Sequence, residues 1–255
     1  MKRRLGVNID HIATLREARK VWYPDPYEAL SVLQACEVDQ VTIHLREDRR
    51  HIQDHDLERI ISANVLSVNL EMAVTAEMVS IASKAKPKMV TFVPEKREEV
   101  TTEGGLDCLR NSAELKESLY RLKQQGIHCS LFIDPDNKQI EAAKELGADA
   151  IELHTGSYCN VVEDAFQKTK KYDLEAFSLQ SNYQQEFTKL QDASKFAASI
   201  DLKVYAGHGL HRDNLVPVVS IQEIEEYNIG HAIIARAVFV GLKQAIQEIQ
   251  TLLAP

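Results

Sequence analysis

Val41-Thr42-Ile43-His44-Leu45-Arg46 is apolar through its strand-like part and turns ionisable at its end, and that ending decides how the chain is read. Five other short runs finish in the same way. They are Val7-Asn8-Ile9-Asp10-His11, Val68-Asn69-Leu70-Glu71, Ile151-Glu152-Leu153-His154, Val204-Tyr205-Ala206-Gly207-His208-Gly209 and Asn228-Ile229-Gly230-His231. In a closed parallel α/β barrel the carboxyl ends of all strands meet on one face, so residues far apart in sequence share one pocket.

Working outward, apolar runs alternate with amphipathic stretches along the whole chain, which predicts βα units and a parallel sheet. Strands are expected near 4–10, 39–44, 66–71, 88–93, 127–133, 149–154, 202–206 and 226–229. Helices are expected near 25–37, 54–64, 75–86, 112–125, 136–147, 184–200, 212–220 and 231–253. Gly126 and Gly147 stop helices before the fifth and sixth strands, and Asp134-Pro135-Asp136 starts a helix. The eighth strand is the least distinct, because Ile224-Glu225-Glu226-Tyr227 also fits a continuing helix. The polar connection from Pro94 to Asn111 and the lysine-rich stretch from Cys159 to Gln184 are longer than simple barrel loops.

The chain has 255 residues, 44% apolar and 27% charged, which suits one α/β barrel spanning 1–255 as a single domain. A net charge of −8 argues against a general nucleic-acid surface. No stretch approaches a membrane span. Cys36, Cys108, Cys129 and Cys159 lack a CxxC spacing and imply no disulfide framework, so a cytoplasmic location is expected.

Each cluster has a plain structural alternative. Asp10 could cap a helix; with Arg16 and Arg19 following, the same loop could hold an anion. His44 and Arg46 share a strand face by the period of two, while Glu47, Asp48, Arg49 and Arg50 read as a solvated loop. His51 could bind a phosphate or hydroxyl. Glu71 lies in an apolar stretch, where a carboxylate is costly unless paired; burial would raise its pKa and suit it to proton transfer. A buried ion pair with Arg46 or another barrel base is the alternative. Glu152 and His154 share a face and could bind metal, relay protons or form an internal polar layer. Gly207-His208-Gly209 and Gly230-His231 end the last two strands, where barrels of this kind commonly bind phosphate on backbone N–H groups.

These clusters, together with Asn69-Leu70-Glu71-Met72-Ala73, Val93-Pro94-Glu95-Lys96-Arg97 and Thr101-Thr102-Glu103-Gly104-Gly105, closely resemble the pyridoxine 5′-phosphate synthase family over nearly the whole chain. The resemblance implies a (β/α)8 TIM barrel with extra helices, assembled as a homo-octamer and needing no cofactor or metal. It implies condensation of 1-deoxy-D-xylulose 5-phosphate with 3-amino-2-oxopropyl phosphate into pyridoxine 5′-phosphate, with release of phosphate and water. Carried over by position, His44 and Glu71 would accept protons, His208 would donate one and Glu152 would stabilise the transition state. Asn8, Arg19, Gly209, Gly230 and His231 would hold the aminoketone phosphate. Asp10, His11, Arg46, His51 and Thr101 would hold the deoxyxylulose phosphate, with a lid around Thr101. The 159–186 stretch is longer than that pattern, and Ala235 stands where glycine is frequent.

The chemistry fits the residues. Ring formation from two carbonyl compounds and an amine requires imine formation, enolisation and dehydration, each moving a proton. The substrate supplies the amine, so no enzyme lysine is needed; Lys88 and Lys203 lie at strand starts, on the wrong face. Two rivals remain at this level. A metal-dependent hydrolase would use His11, His44, His154 and Glu152, and a noncatalytic phosphosugar binder would leave Glu71 and Glu152 without a task.

Overall fold

Eight parallel strands pair in sequence order and close β1 against β8 in a computed structural model that describes residues 3–95 and 104–254, without the side chains of residues 174 and 175. The strands are β1 (Arg4–Asn8), β2 (Gln40–His44), β3 (Val68–Met72), β4 (Met89–Phe92), β5 (His128–Ile133), β6 (Ala150–His154), β7 (Lys203–Gly207) and β8 (Ile224–Ile229). Around them run α1 (Asp10–Glu17), α2 (Ala29–Ala35), α3 (Asp54–Ala63), α4 (Ala76–Ala85), α5 (Ser112–Lys123) and α6 (Asn137–Glu145). The second half adds α7 (Gly156–Thr169), α8 (Leu174–Ser178), α9 (Ser181–Ser199), α10 (Leu215–Val219), α11 (His231–Val240) and α12 (Leu242–Leu253). The expected TIM barrel with extra helices is therefore present.

Strand alternation divides the buried residues into two chemistries. One set, including Val7, Ile43, Leu70, Leu131, Leu153 and Ile229, joins apolar helix faces in a continuous core. Burying each such side chain stabilises the fold by roughly 1.5–3 kcal/mol. The alternate positions face the barrel axis and are largely polar. Thr42 on β2 donates to Asn228 on β8 at 3.3 Å, and Gln40 donates to Glu226 at 2.5 Å, both bonds passing across β1. Gly6 on β1 makes this possible: a Cβ there would lie 2.0 Å from the Asn228 Oδ1.

Three elements differ from the sequence expectation, and a fourth stretch, which could have added a helix or an excursion, takes the helical form. Strand β1 stops at Asn8, and Asp10 opens α1, so the loop expected to carry Arg16 and Arg19 is helical through Glu17. Residues 224–227 belong to β8, held by pairing of Arg4 with Glu226 and Leu5 with Tyr227. The expected 231–253 helix breaks at Gly241, whose φ of 82° ends one helix and begins the next. The stretch from Cys159 to Gln184 is mostly helical, with Tyr158 and Tyr183 packed edge to face at 5.5 Å. Among the described residues, no helix is long and apolar enough to cross a membrane.

Arg16 serves the fold. Its guanidinium makes two bonds to Asp56, at 2.8 and 2.7 Å, and a third to the His51 carbonyl at 3.1 Å. Asp56 also accepts the Gln53 N–H that opens α3. Both residues are buried. Removing one member of a buried pair strands the other charge, so Asp56→Ala should cost about 3–5 kcal/mol, read as a lower urea midpoint. A midpoint within experimental error of wild type would refute this account.

Candidate active site

A cavity of about 430 Å³ opens at the carboxyl ends of the strands. Ten of the expected site residues line it: Asn8, Asp10, His11, His44, Glu71, Glu152, His208, Gly209, Gly230 and His231. On one wall, Asp10 ties three elements together. Its Oδ1 accepts the His44 backbone N–H at 2.8 Å, and its Oδ2 accepts the Asn8 side-chain amide at 2.8 Å. The same Asn8 amide reaches Glu71 at 3.5 Å, and the His44 Nδ1 lies 4.0 Å from Glu71 Oε2. Arg46 is not Glu71's partner; it is buried elsewhere, with its Nε 3.3 Å from Asp48.

Among the described residues no arginine or lysine pairs with Glu71, and its surroundings favour the protonated form. Burial pushes its carboxyl well above the ordinary range, the negative charges of Glu152 and Asp10 push the same way, and the Asn8 bond opposes them. Burial also drives Glu152 up to about 8, against the 2.8 Å bond from Asn228, with Glu226 adding to the rise. A Cβ on Gly207 would lie 2.0 Å from the Glu152 Oε1, so only glycine lets this carboxyl stand against β7.

On the opposite wall, His208 and Gly209 have φ of 77° and 85°, a sharp turn at the end of β7. The Thr155 hydroxyl fixes that turn with contacts of 2.8 and 2.6 Å to the carbonyls of Gly207 and His208. Burial, helped by His154, lowers the His208 imidazole to about 4. Gly230 precedes His231, the first residue of α11, and the His231 ring meets His11 edge to face at 5.0 Å. The helix start offers unpaired N–H groups to an anion at this rim.

The sequence matches the family described as pyridoxal phosphate biosynthesis protein PdxJ over residues 5–255. The chain belongs to that family. A pyridoxine 5′-phosphate synthase of Sulfurihydrogenibium sp. (strain YO3AOP1) is 51% identical over 253 residues, covering 98% of this chain and 97% of the relative. One of Chlorobium phaeobacteroides is 49% identical over 250 residues, covering 98% and 99%. Among solved structures, a native KDPGal structure aligns with a TM-score of 0.62 at 12% identity, covering 99% of this chain and 97% of that one. That last likeness shows the barrel fold alone.

Not every expected residue reaches the cavity of this PdxJ family member. Arg19 is exposed after α1, and Arg46 and His51 are outside the lining, with the His51 ring 6.1 Å from that of His44. Thr101 and the expected lid around it lie outside the described residues. The hydrolase foursome does not converge, since His154 turns its Nδ1 to Asp134 at 2.9 Å. Among the described residues, the acid and imidazole atoms that do converge belong to Asp10, His44 and Glu71, within 4.8 Å of one another. Two buried partners were missed. Asn228, a polar residue inside an apolar strand, had a visible signal as the support of Glu152. Glu95 accepts from His44 at 2.7 Å but stands at the head of a charged run that hides it.

Glu152 yields a pH test. Its folded value near 8 exceeds the ordinary 4.5, so its contribution to stability is full below the ordinary value and is lost as pH rises through the folded one. Glu152→Gln should therefore gain melting temperature relative to wild type between about pH 5 and pH 8. Parallel melting curves across that window would show that Glu152 is ionised in the folded protein.

Proposed function

We propose that this protein condenses 1-deoxy-D-xylulose 5-phosphate with 3-amino-2-oxopropyl phosphate to pyridoxine 5′-phosphate, phosphate and water. One observation carries the proposal: the carboxyls of Glu71 and Glu152 and the imidazole of His208 line one cavity, where burial favours the uncharged form of each. Membership of the PdxJ family, with relatives described as pyridoxine 5′-phosphate synthases, supports the substrate assignment.

In this reading the aminoketone's own amine attacks the deoxyxylulose carbonyl, and loss of water forms the imine. His44 then takes a proton from carbon, Glu71 takes another once its own has passed to a neighbouring acceptor, and His208 returns one to a leaving oxygen. Glu152 hydrogen-bonds the developing negative charge. His208 begins neutral; two bound phosphates bring negative charge that raises its proton affinity and prepares it to donate. Asn8, Gly209, Gly230 and His231 hold the aminoketone phosphate, using the amino end of α11, and Arg19, exposed outside the cavity lining, would have to swing in to join them. Asp10, His11, Arg46, His51 and Thr101 hold the other substrate. The same reading includes a cytoplasmic homo-octamer; Trp22 and Phe239, 75% and 83% exposed, are apolar surface that assembly would cover.

Mixing purified protein with both phosphorylated substrates should yield pyridoxine 5′-phosphate, identified by mass and ultraviolet spectrum. No product under conditions where both substrates persist would overturn the assignment. Glu71→Gln should fold normally and lose about 10²–10⁴-fold in kcat, the usual range for a general base. Near-normal turnover would remove Glu71 from proton transfer.

A further inference from the structure

We propose that Glu95 is a positioning residue that fixes the tautomer of His44, placing the ring proton on Nε2 and leaving Nδ1 as the atom that takes the substrate proton. The proposal rests on the catalytic reading of His44 given above.

Glu95 follows β4 by three residues, and its carboxylate is 3% exposed. Its two oxygens are separately engaged. Oε1 lies 2.7 Å from the His44 Nε2, and Oε2 accepts the Glu47 backbone N–H at 3.0 Å. Burial alone would raise its pKa, but His44, the Glu47 N–H and Arg46 together hold it below the ordinary range. An ionised carboxylate can only accept, so the hydrogen of the 2.7 Å contact belongs to Nε2. In the neutral ring the other nitrogen is then a bare acceptor, 4.0 Å from Glu71. The remaining polar groups around the ring keep that arrangement: Asp10 of α1 binds the His44 backbone N–H, and the His51 ring stands 6.1 Å away.

Glu95→Gln should invert this arrangement rather than merely weaken it. An amide has one acceptor and one donor end. The Glu47 N–H cannot turn round, so it claims the amide oxygen, and the amide NH₂ is left to donate to Nε2. The ring proton then moves to Nδ1 and blocks the base. An orienting carboxylate changed to its amide in a serine-protease triad lowers kcat about 10⁴-fold by a wrong tautomer.

The test is ¹⁵N-histidine NMR of the full protein, with the His44 signals assigned by their loss in His44→Asn. Wild type should show His44 as the Nε2–H tautomer, and Glu95→Gln should show Nδ1–H. Its kcat should fall about 10²–10⁴-fold with KM changed less than about threefold. Glu95→Asp should keep the wild-type tautomer and recover part of kcat. An Nδ1–H tautomer in wild type would overturn the proposal, as would a Glu95→Gln variant with unchanged tautomer and kcat. Should Glu95→Gln fail to fold, the wild-type tautomer and Glu95→Asp decide. The NMR result is independent of turnover, so the expected tautomers in a protein that forms no pyridoxine 5′-phosphate would uphold the positioning role and remove only the reaction.

Discussion

A carboxyl group enclosed in a barrel is costly to ionise, and what stands beside it decides how much of that cost is offset. Arg16 pairs with Asp56 outside the barrel, and Arg4 meets Glu226 at 3.1 Å near the amino-terminal mouth. Glu71 and Glu152 receive amides instead, from Asn8 and Asn228. An amide donates a hydrogen bond without neutralising charge, so burial still favours the protonated form.

Holding such groups requires the outer shell to stabilise the fold. The barrel axis is lined by Thr42, Asn69, Thr91, Ser130 and Asn228, positions that branched apolar residues fill in many barrels of this type. Apolar burial is displaced to the layer between strands and helices, where the continuous core lies. Glycines then fit the polar axis together. Gly6 leaves room for Asn228, and Gly207 leaves room for the carboxyl that Asn228 binds. Replacing either glycine would act on Glu152, though neither carries a reactive group.

Much of this was legible in the sequence because a strand's period of two aligns polar residues with the axis. His44, Glu71, Glu152 and His208 each end or interrupt an apolar run, and each lines the cavity. Other features lacked a local signal. Asp10 ends one apolar run and begins α1, and helix geometry rather than charge decides that Arg16 turns to Asp56 while Arg19 faces solvent. Glu226 is inside a strand because the β7 to β8 pairing skips Glu225, an irregularity no periodic pattern displays. Glu95 is hidden for a different reason: its partners, His44 and Glu47, are 51 and 48 residues away.

Burial acts on both walls of the cavity with the same sign in free energy and opposite signs in pKa. It disfavours charge, so the carboxyls of Glu71 and Glu152 rise while the imidazole of His208 falls. Burial thus favours the uncharged form of all three. Anionic substrates break that symmetry. Their charge raises the proton affinity of acids and imidazole alike, but only the imidazole gains a favourable ion pair by taking the proton. A protonated carboxyl can accept a proton only after losing its own, so in the proposed reaction Glu71 must first pass its proton on, with the His44 Nδ1 4.0 Å away.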